Sequence, residues 1–240
     1  MFIKKTFVNW YHNDVSFSVE LIESFVKGVE KEAEESILRY EREKQRELLL
    51  EEGADESDET CATTIETHQG LDSESWNLDT IFHEYFPNLQ RRSGLLTVYA
   101  YFEHELDKLC SFYQSERGFR LALSDLRGRG IDRSTSYLEK IAGIDVHKES
   151  KEWTYIKRIQ SIRNNIVHQG GRTRDRQGNA IKYVIDAIAK TEFVSGDDDV
   201  VLNEGFLGSV VATYKRYFWL LHTSIGASEK ARGGESSQTK

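Results

Sequence analysis

KEWTYIKRIQSIRNNIVHQGG, residues 151–171, places Trp153, Ile156, Ile159, Ile162 and Ile166 at intervals of three or four. Apolar side chains at that spacing share one face of an α-helix, and the Gly170-Gly171 pair that follows is a strong helix stop. Working outward, Leu95, Tyr99, Phe102, Leu106, Leu109 and Tyr113 form a second apolar face within residues 94–113. Phe206, Val210, Tyr214, Tyr217, Leu221 and Ile225 form a third. Ile22, Phe25, Val29, Ala33, Ile37 and Tyr40 predict a long N-terminal helix that continues into the charged run EREKQRELLLEE and projects into solvent. Shorter helices are expected over 76–85, stopped by Pro87, over the stretch capped by Asp132 or Ser134 and ending at Gly143, and over 181–189. With a single proline in the chain and its glycines gathered at a few points, helix is favoured, and helices must bury their faces on one another. The expected fold is all-α, a helical bundle. It forms a single domain over 1–227, with an acidic mobile insertion at 51–75 and a disordered tail at 228–240.

Bulk properties agree with a soluble globular chain: 240 residues, 38% hydrophobic and 30% charged. The net charge of -8 excludes a protein that coats nucleic acid indiscriminately. The charge is uneven, however. Residues 27–59 hold six basic and thirteen acidic side chains, whereas residues 151–182 hold eight basic and two acidic ones. One face is therefore expected to attract a polyanion that the rest repels. Cys61 and Cys110, in an acidic loop and an apolar helix, do not make a secreted disulfide framework. The N-terminus lacks an uninterrupted apolar segment, and the apolar run 206–225 is interrupted by Lys215, Arg216 and His222. A cytoplasmic protein with no membrane partner is expected.

Chemistry concentrates in SIRNNIVHQGG. Asn164 and His168 are four residues apart, so on a helix they differ by about 40° and share a face. Arg163 is offset by about 100° from Asn164, a gap its long side chain can bridge. His168 falls in the last helical turn, where the partial negative charge of the helix end favours an imidazolium. A guanidinium beside a titrating imidazole suits phosphodiester cleavage by a neighbouring 2′-hydroxyl: the imidazole moves the proton while Arg holds the phosphate oxygens. The alternative is that both side chains merely satisfy helix-end carbonyls. Lys157, Arg158, Arg172, Arg174, Arg176 and Lys182 flank this cluster and are candidate RNA-backbone contacts, the alternative being a solvated turn. Asp197, Asp198 and Asp199 read as a polar turn. No H-E-x-x-H spacing, zinc-type cysteine pattern or phosphate-binding glycine loop occurs, so neither a metal nor a cofactor is expected.

The R-N-x-x-x-H arrangement of Arg163, Asn164 and His168 resembles the signature of the HEPN superfamily. SGLLTVYAYFEHELDKLC, GRGIDRSTSYLEKIAGID and the closing apolar helix after VVLNEGFLGSVV resemble its bacterial stand-alone members, so the likeness runs from about Ser93 to Ile225. The resemblance implies a metal-independent endoribonuclease, often a toxin or phage-defence effector. It implies a homodimer in which two signatures form one composite active site. Arg163, Asn164 and His168 would then be catalytic, and Glu103 resembles an acidic residue that some members place near the cleft. An antitoxin or other defence-system protein is the implied partner. The alternative within the same family is a catalytically silent interaction or nucleotide-binding module. The charged region from about Glu30 to Ser75 has no counterpart in the minimal domain.

Overall fold

The computed structural model describes residues 7–50 and 62–235 and is mostly helical. Its main helices are α1 (Ser16–Glu43), α2 (Leu78–Thr80), α3 (Phe86–Arg117), α4 (Gly130–Lys140), α5 (Lys151–Gln169), α6 (Lys182–Ala189) and α7 (Phe206–Glu235). Strands β1 (Gln45–Leu50), β2 (Ala62–His68) and β3 (Leu71–Asp72) form one antiparallel sheet, and β4 (Val194–Ser195) pairs with β5 (Val201–Leu202). The chain divides into two compact units, residues 28–93 and the remainder, where one domain was expected.

In the larger unit, α3, α5 and α7 supply the core that their spacing predicts. Phe102, Leu106 and Leu109 of α3, Ile156, Ile159 and Ile162 of α5, and Val210, Tyr217 and Leu221 of α7 are fully buried. The Phe102 and Tyr214 rings stack at 4.0 Å, and Trp153 lies 5.4 Å from Tyr217. Burying one such side chain contributes about 1.5–3 kcal/mol, so this interlayer dominates the unit's stability. Helix α5 is framed by its own local signals. The Ser150 hydroxyl accepts the Trp153 amide at 3.1 Å, and Gly170 closes the helix in the left-handed conformation at φ +67°.

The smaller unit corrects three expectations. Helix α1 stops at Glu43 and gives way to β1, so residues 44–50 of the charged run do not continue as a projecting helix. Residues 62–68 and 71–72 of the expected loop are strands, in register from Gln45↔Thr67 to Leu50↔Ala62 and then Thr67↔Asp72. β-Branched Thr64, Ile65 and Thr67 favour this extended ribbon, and Ile65 and His68 bury their side chains. Residues 51–61 lie outside the described residues. Pro87 does not stop a helix either. The turn before it, Ile81–Tyr85, widens to π-helical bonding, and the chain continues directly into α3. A wider turn relieves the clash and the missing N–H that proline imposes on a regular helix. The unit's small core is Tyr40, Leu78 and Phe82, with Tyr40 stacked on Phe82 at 4.8 Å.

Two boundaries differ in the larger unit. Helix α4 begins at Gly130, ahead of Asp132 and Ser134, and ends at Lys140. Helix α7 runs to Glu235, so residues 228–235 of the expected disordered tail are helical, while 236–240 fall outside the described residues. Arg232 explains part of this extension, since it donates to the Ala142 carbonyl at 2.7 Å.

Candidate functional site

The second half of α5 carries the signature. Arg163 is half-buried, with its guanidinium carbon 5.1 Å from the centre of the Tyr99 ring, and its Nη1 donates to Asn164 Oδ1 at 3.0 Å. Its Nε is buried and makes no hydrogen bond among the described residues. Tyr99 is itself buried. Burial, with the Glu103 carboxylate nearby, raises its phenol above the ordinary value, so Arg163 rests on a neutral aromatic face. A cation at that distance from an aromatic ring is attracted by the ring's electron-rich face. Arg163 and Asn164 are thus brought together.

His168 stands one helical turn beyond Asn164, exposed, in the last turn of α5. Among the described residues it has no hydrogen-bond or ion-pair partner, and neither Arg163 nor Asn164 bonds to it. The imidazole is therefore open to whatever approaches the end of α5.

Glu103 is half-buried one turn after Tyr99 on α3. Its Oε1 lies 3.2 Å from where a Cβ on Gly130 would stand, so glycine at the start of α4 leaves room for the carboxylate. Asp132, in the first turn of α4, accepts from Lys157 Nζ at 2.8 Å through both oxygens. Gln160 joins them, accepting from Lys157 and donating to Asp132 at 3.4 Å. Glu103, Asp132, Lys157, Gln160 and Arg163 hence form one polar cluster across α3, α4 and α5, with the buried Tyr99 beneath Arg163.

The six candidate cations have different surroundings. Lys157 is paired with Asp132, as above. Arg158 donates to the Lys190 carbonyl at 2.8 Å and lines an open basin of about 710 Å³ with Glu152, Tyr155 and Arg216. Arg174 donates to the Gly178 carbonyl at 3.3 Å and lies 3.6 Å from Asp198. Arg172, Arg176 and Lys182 are exposed. Among the described residues, no side-chain ion pair engages those three.

The turn bearing these arginines is held from both sides. The Asn165 side chain, fully buried, donates Nδ2 to the Arg172 carbonyl at 2.9 Å. The Thr173 amide donates to the Asp198 carbonyl at 2.8 Å, and the Val200 amide donates to the Gly171 carbonyl at 2.7 Å. The acidic triplet Asp197, Asp198 and Asp199 is thereby laid alongside the basic turn. Sequence reasoning missed Asn165 and Gln160, and it placed Tyr99 in the core, where it is buried, without its contact to Arg163. Asn165 carried a signal, because a second asparagine on the apolar side of a helix, just before a glycine pair, needs a buried partner.

Comparisons with protein-family models, with curated proteins and with solved structures find no match to this chain. None of the helices among the described residues is long and apolar enough to cross a membrane.

Proposed function

We propose that the protein is a metal-independent endoribonuclease that acts as a homodimer and serves as a toxin or phage-defence effector. The observation that carries this reading is the Arg163–Asn164 pair seated on Tyr99, one turn before an exposed His168 that has no partner among the described residues, and beside a basic turn. In the reaction, an imidazole takes the proton of an RNA 2′-hydroxyl, whose oxygen attacks the adjacent phosphorus. The bond to the 5′-oxygen breaks, that oxygen takes up a proton, and the products carry a 2′,3′-cyclic phosphate and a 5′-hydroxyl. Arg163 offers N–H donors to the non-bridging oxygens as negative charge accumulates, and Asn164 Oδ1 fixes the orientation of that guanidinium. His168 moves the protons. A second protomer would supply a second His168, so that base and acid are separate groups, and the implied antitoxin or defence-system partner would cover this surface.

Arg172, Arg174, Arg176 and Lys182 extend the positive surface past the end of α5, where an RNA backbone would run. Lys157 and Arg158 are engaged within the protomer and support the reading less. A second reading, a catalytically silent interaction module, is favoured by one observation: Asn164 already occupies the Arg163 donor that would face a phosphate.

The test compares wild type with Arg163→Ala and His168→Ala on total cellular RNA in the presence of EDTA, after melting temperatures are matched. Wild type is expected to cut, leaving cyclic phosphate ends, and each variant to lose at least about a hundredfold in rate, the usual scale for one acid–base or charge-stabilising group. Equal cleavage by all three proteins would remove the proposed site. Sedimentation of the same samples is expected to give twice the 27.7 kDa chain mass.

A further inference from the structure

We infer that Glu41, Asp79 and His83 form a binding site for a divalent transition-metal ion of the zinc class. All three belong to the smaller unit, and none is part of the Arg163 surface. Asp79 and His83 are four residues apart on the helical run that leads into α3, and Glu41 reaches them from the end of α1. One ligand atom from each can be chosen so that all three lie within 4.8 Å of one another. A tetrahedral zinc with bonds of about 2.0–2.1 Å keeps its ligand atoms roughly 3.3 Å apart, a separation between the 2.8 Å of the His83–Glu41 pair and the 4.8 Å limit of the set.

The orientation of the imidazole fits this set. His83 Nδ1 lies 3.0 Å from the Asp79 backbone carbonyl. A carbonyl oxygen only accepts, so Nδ1 carries the hydrogen. In the neutral ring the lone pair is then on Nε2, and Nε2 lies 2.8 Å from Glu41 Oε1. An Nδ1–H tied to a backbone carbonyl, with Nε2 presented to a carboxylate, is the arrangement that orients metal-binding histidines. Asp79 is also held in place, because the buried Tyr40 hydroxyl donates to its Oδ1 at 2.8 Å.

Lys44 shows that this position already selects positive charge. Its ammonium lies 3.2 Å from Glu41 Oε2 and 4.0 Å from Asp79 Oδ1, and 4.8 Å from the centre of the Tyr40 ring. It is the ion's competitor. Two carboxylates and one imidazole suit zinc, with water completing the coordination, better than they suit calcium, which takes six or more oxygens.

The experiment is calorimetric titration of the full chain, stripped with EDTA and desalted, with zinc chloride at pH 7.5, repeated with cobalt(II) to read its visible absorption. One ion per chain is expected. His83→Gln and Asp79→Asn are expected to weaken binding by roughly tenfold or more. Their melting temperatures without metal serve as the folding control, and Glu41→Gln as a second isosteric variant. Lys44→Gln is expected to tighten binding, which a surface histidine acting alone would not show. Absence of saturable binding would assign the His83–Glu41 contact to a proton and overturn the site. Binding unchanged in both His83→Gln and Asp79→Asn would place the ion elsewhere and overturn it equally.

Discussion

At the scale of single residues, two tyrosines of α7 separate packing from hydrogen bonding. Tyr217 and Tyr214 are both buried, but only Tyr217 reaches an acceptor, donating to the Val146 carbonyl at 2.8 Å. The Tyr214 hydroxyl has no partner among the described residues and packs near Tyr99, Tyr155 and Arg163. Tyr217→Phe is therefore expected to cost about 1–3 kcal/mol by leaving a buried carbonyl unpaired. Tyr214→Phe is expected to cost little or to stabilise, and urea midpoints of the two variants check the contrast. An equal loss in both would mean that ring packing alone governs the interlayer. The sequence marked both rings as core through spacing. It held no sign of which hydroxyl would be satisfied, because the acceptor is a loop carbonyl 71 residues away.

At the scale of elements, the β4–β5 hairpin positions the basic turn. Gly196 adopts φ +121°, and a Cβ there would meet the Asp199 carbonyl oxygen at 1.8 Å. No side chain fits, so Gly196→Ala is expected to open the hairpin, with a strain of roughly 1–3 kcal/mol. The hairpin's carbonyls hold Thr173, so hydrogen exchange is expected to rise at residues 171–174 as well as at 194–202. Faster exchange confined to the hairpin would show that the turn is held by Asn165 alone. The glycine pair after α5 was legible as a stop, and Asp197–Asp199 as a turn. That the two segments pair, Arg172 opposite Asp199, depends on long-range geometry that local spacing does not encode. The N-terminal helix shows the same limit in another form. Its buried positions are Val19, Val26, Ala33 and Tyr40, seven apart, while Phe25, expected on the buried face, is 38% exposed. Apolar residues surround this helix on more than one side, so periodicity admitted two faces and only packing chose between them.

At the scale of the whole molecule, charge is the quantity that matters for a polyanionic substrate. A net charge of -8 would repel RNA at a distance, and on the proposed reading the exposed Arg172, Arg176 and Lys182, with Arg174, would supply the attraction. Four phosphates neutralised on a single strand give a slope of about −3 for log affinity against log salt. Removing Arg172 and Arg176 together is expected to flatten that slope by roughly 1.4. Exchanging Asp197 and Asp199 for asparagine is expected to tighten binding, because the triplet adjoins the same turn. Filter binding of a short unstructured RNA across a salt series reads both. A slope unchanged by the arginine variants would move the RNA path away from this turn.

What the sequence determined by itself was the helical class, the inward faces of α3, α5 and α7, the C-terminal end of α5, and the grouping of Arg163, Asn164 and His168 on one helix. All of these follow from residues within a few turns of one another, where helix geometry converts spacing directly into position. Tertiary structure decided the rest: the seat of Arg163 on Tyr99, the pairing of Lys157 with Asp132, and the sheet at residues 45–72. It also decided the meeting of Glu41 with Asp79 and His83, which no spacing rule finds because the third ligand comes from another helix. Each of these joins segments tens of residues apart, and such contacts are set by how apolar faces pack, which a one-dimensional pattern leaves open.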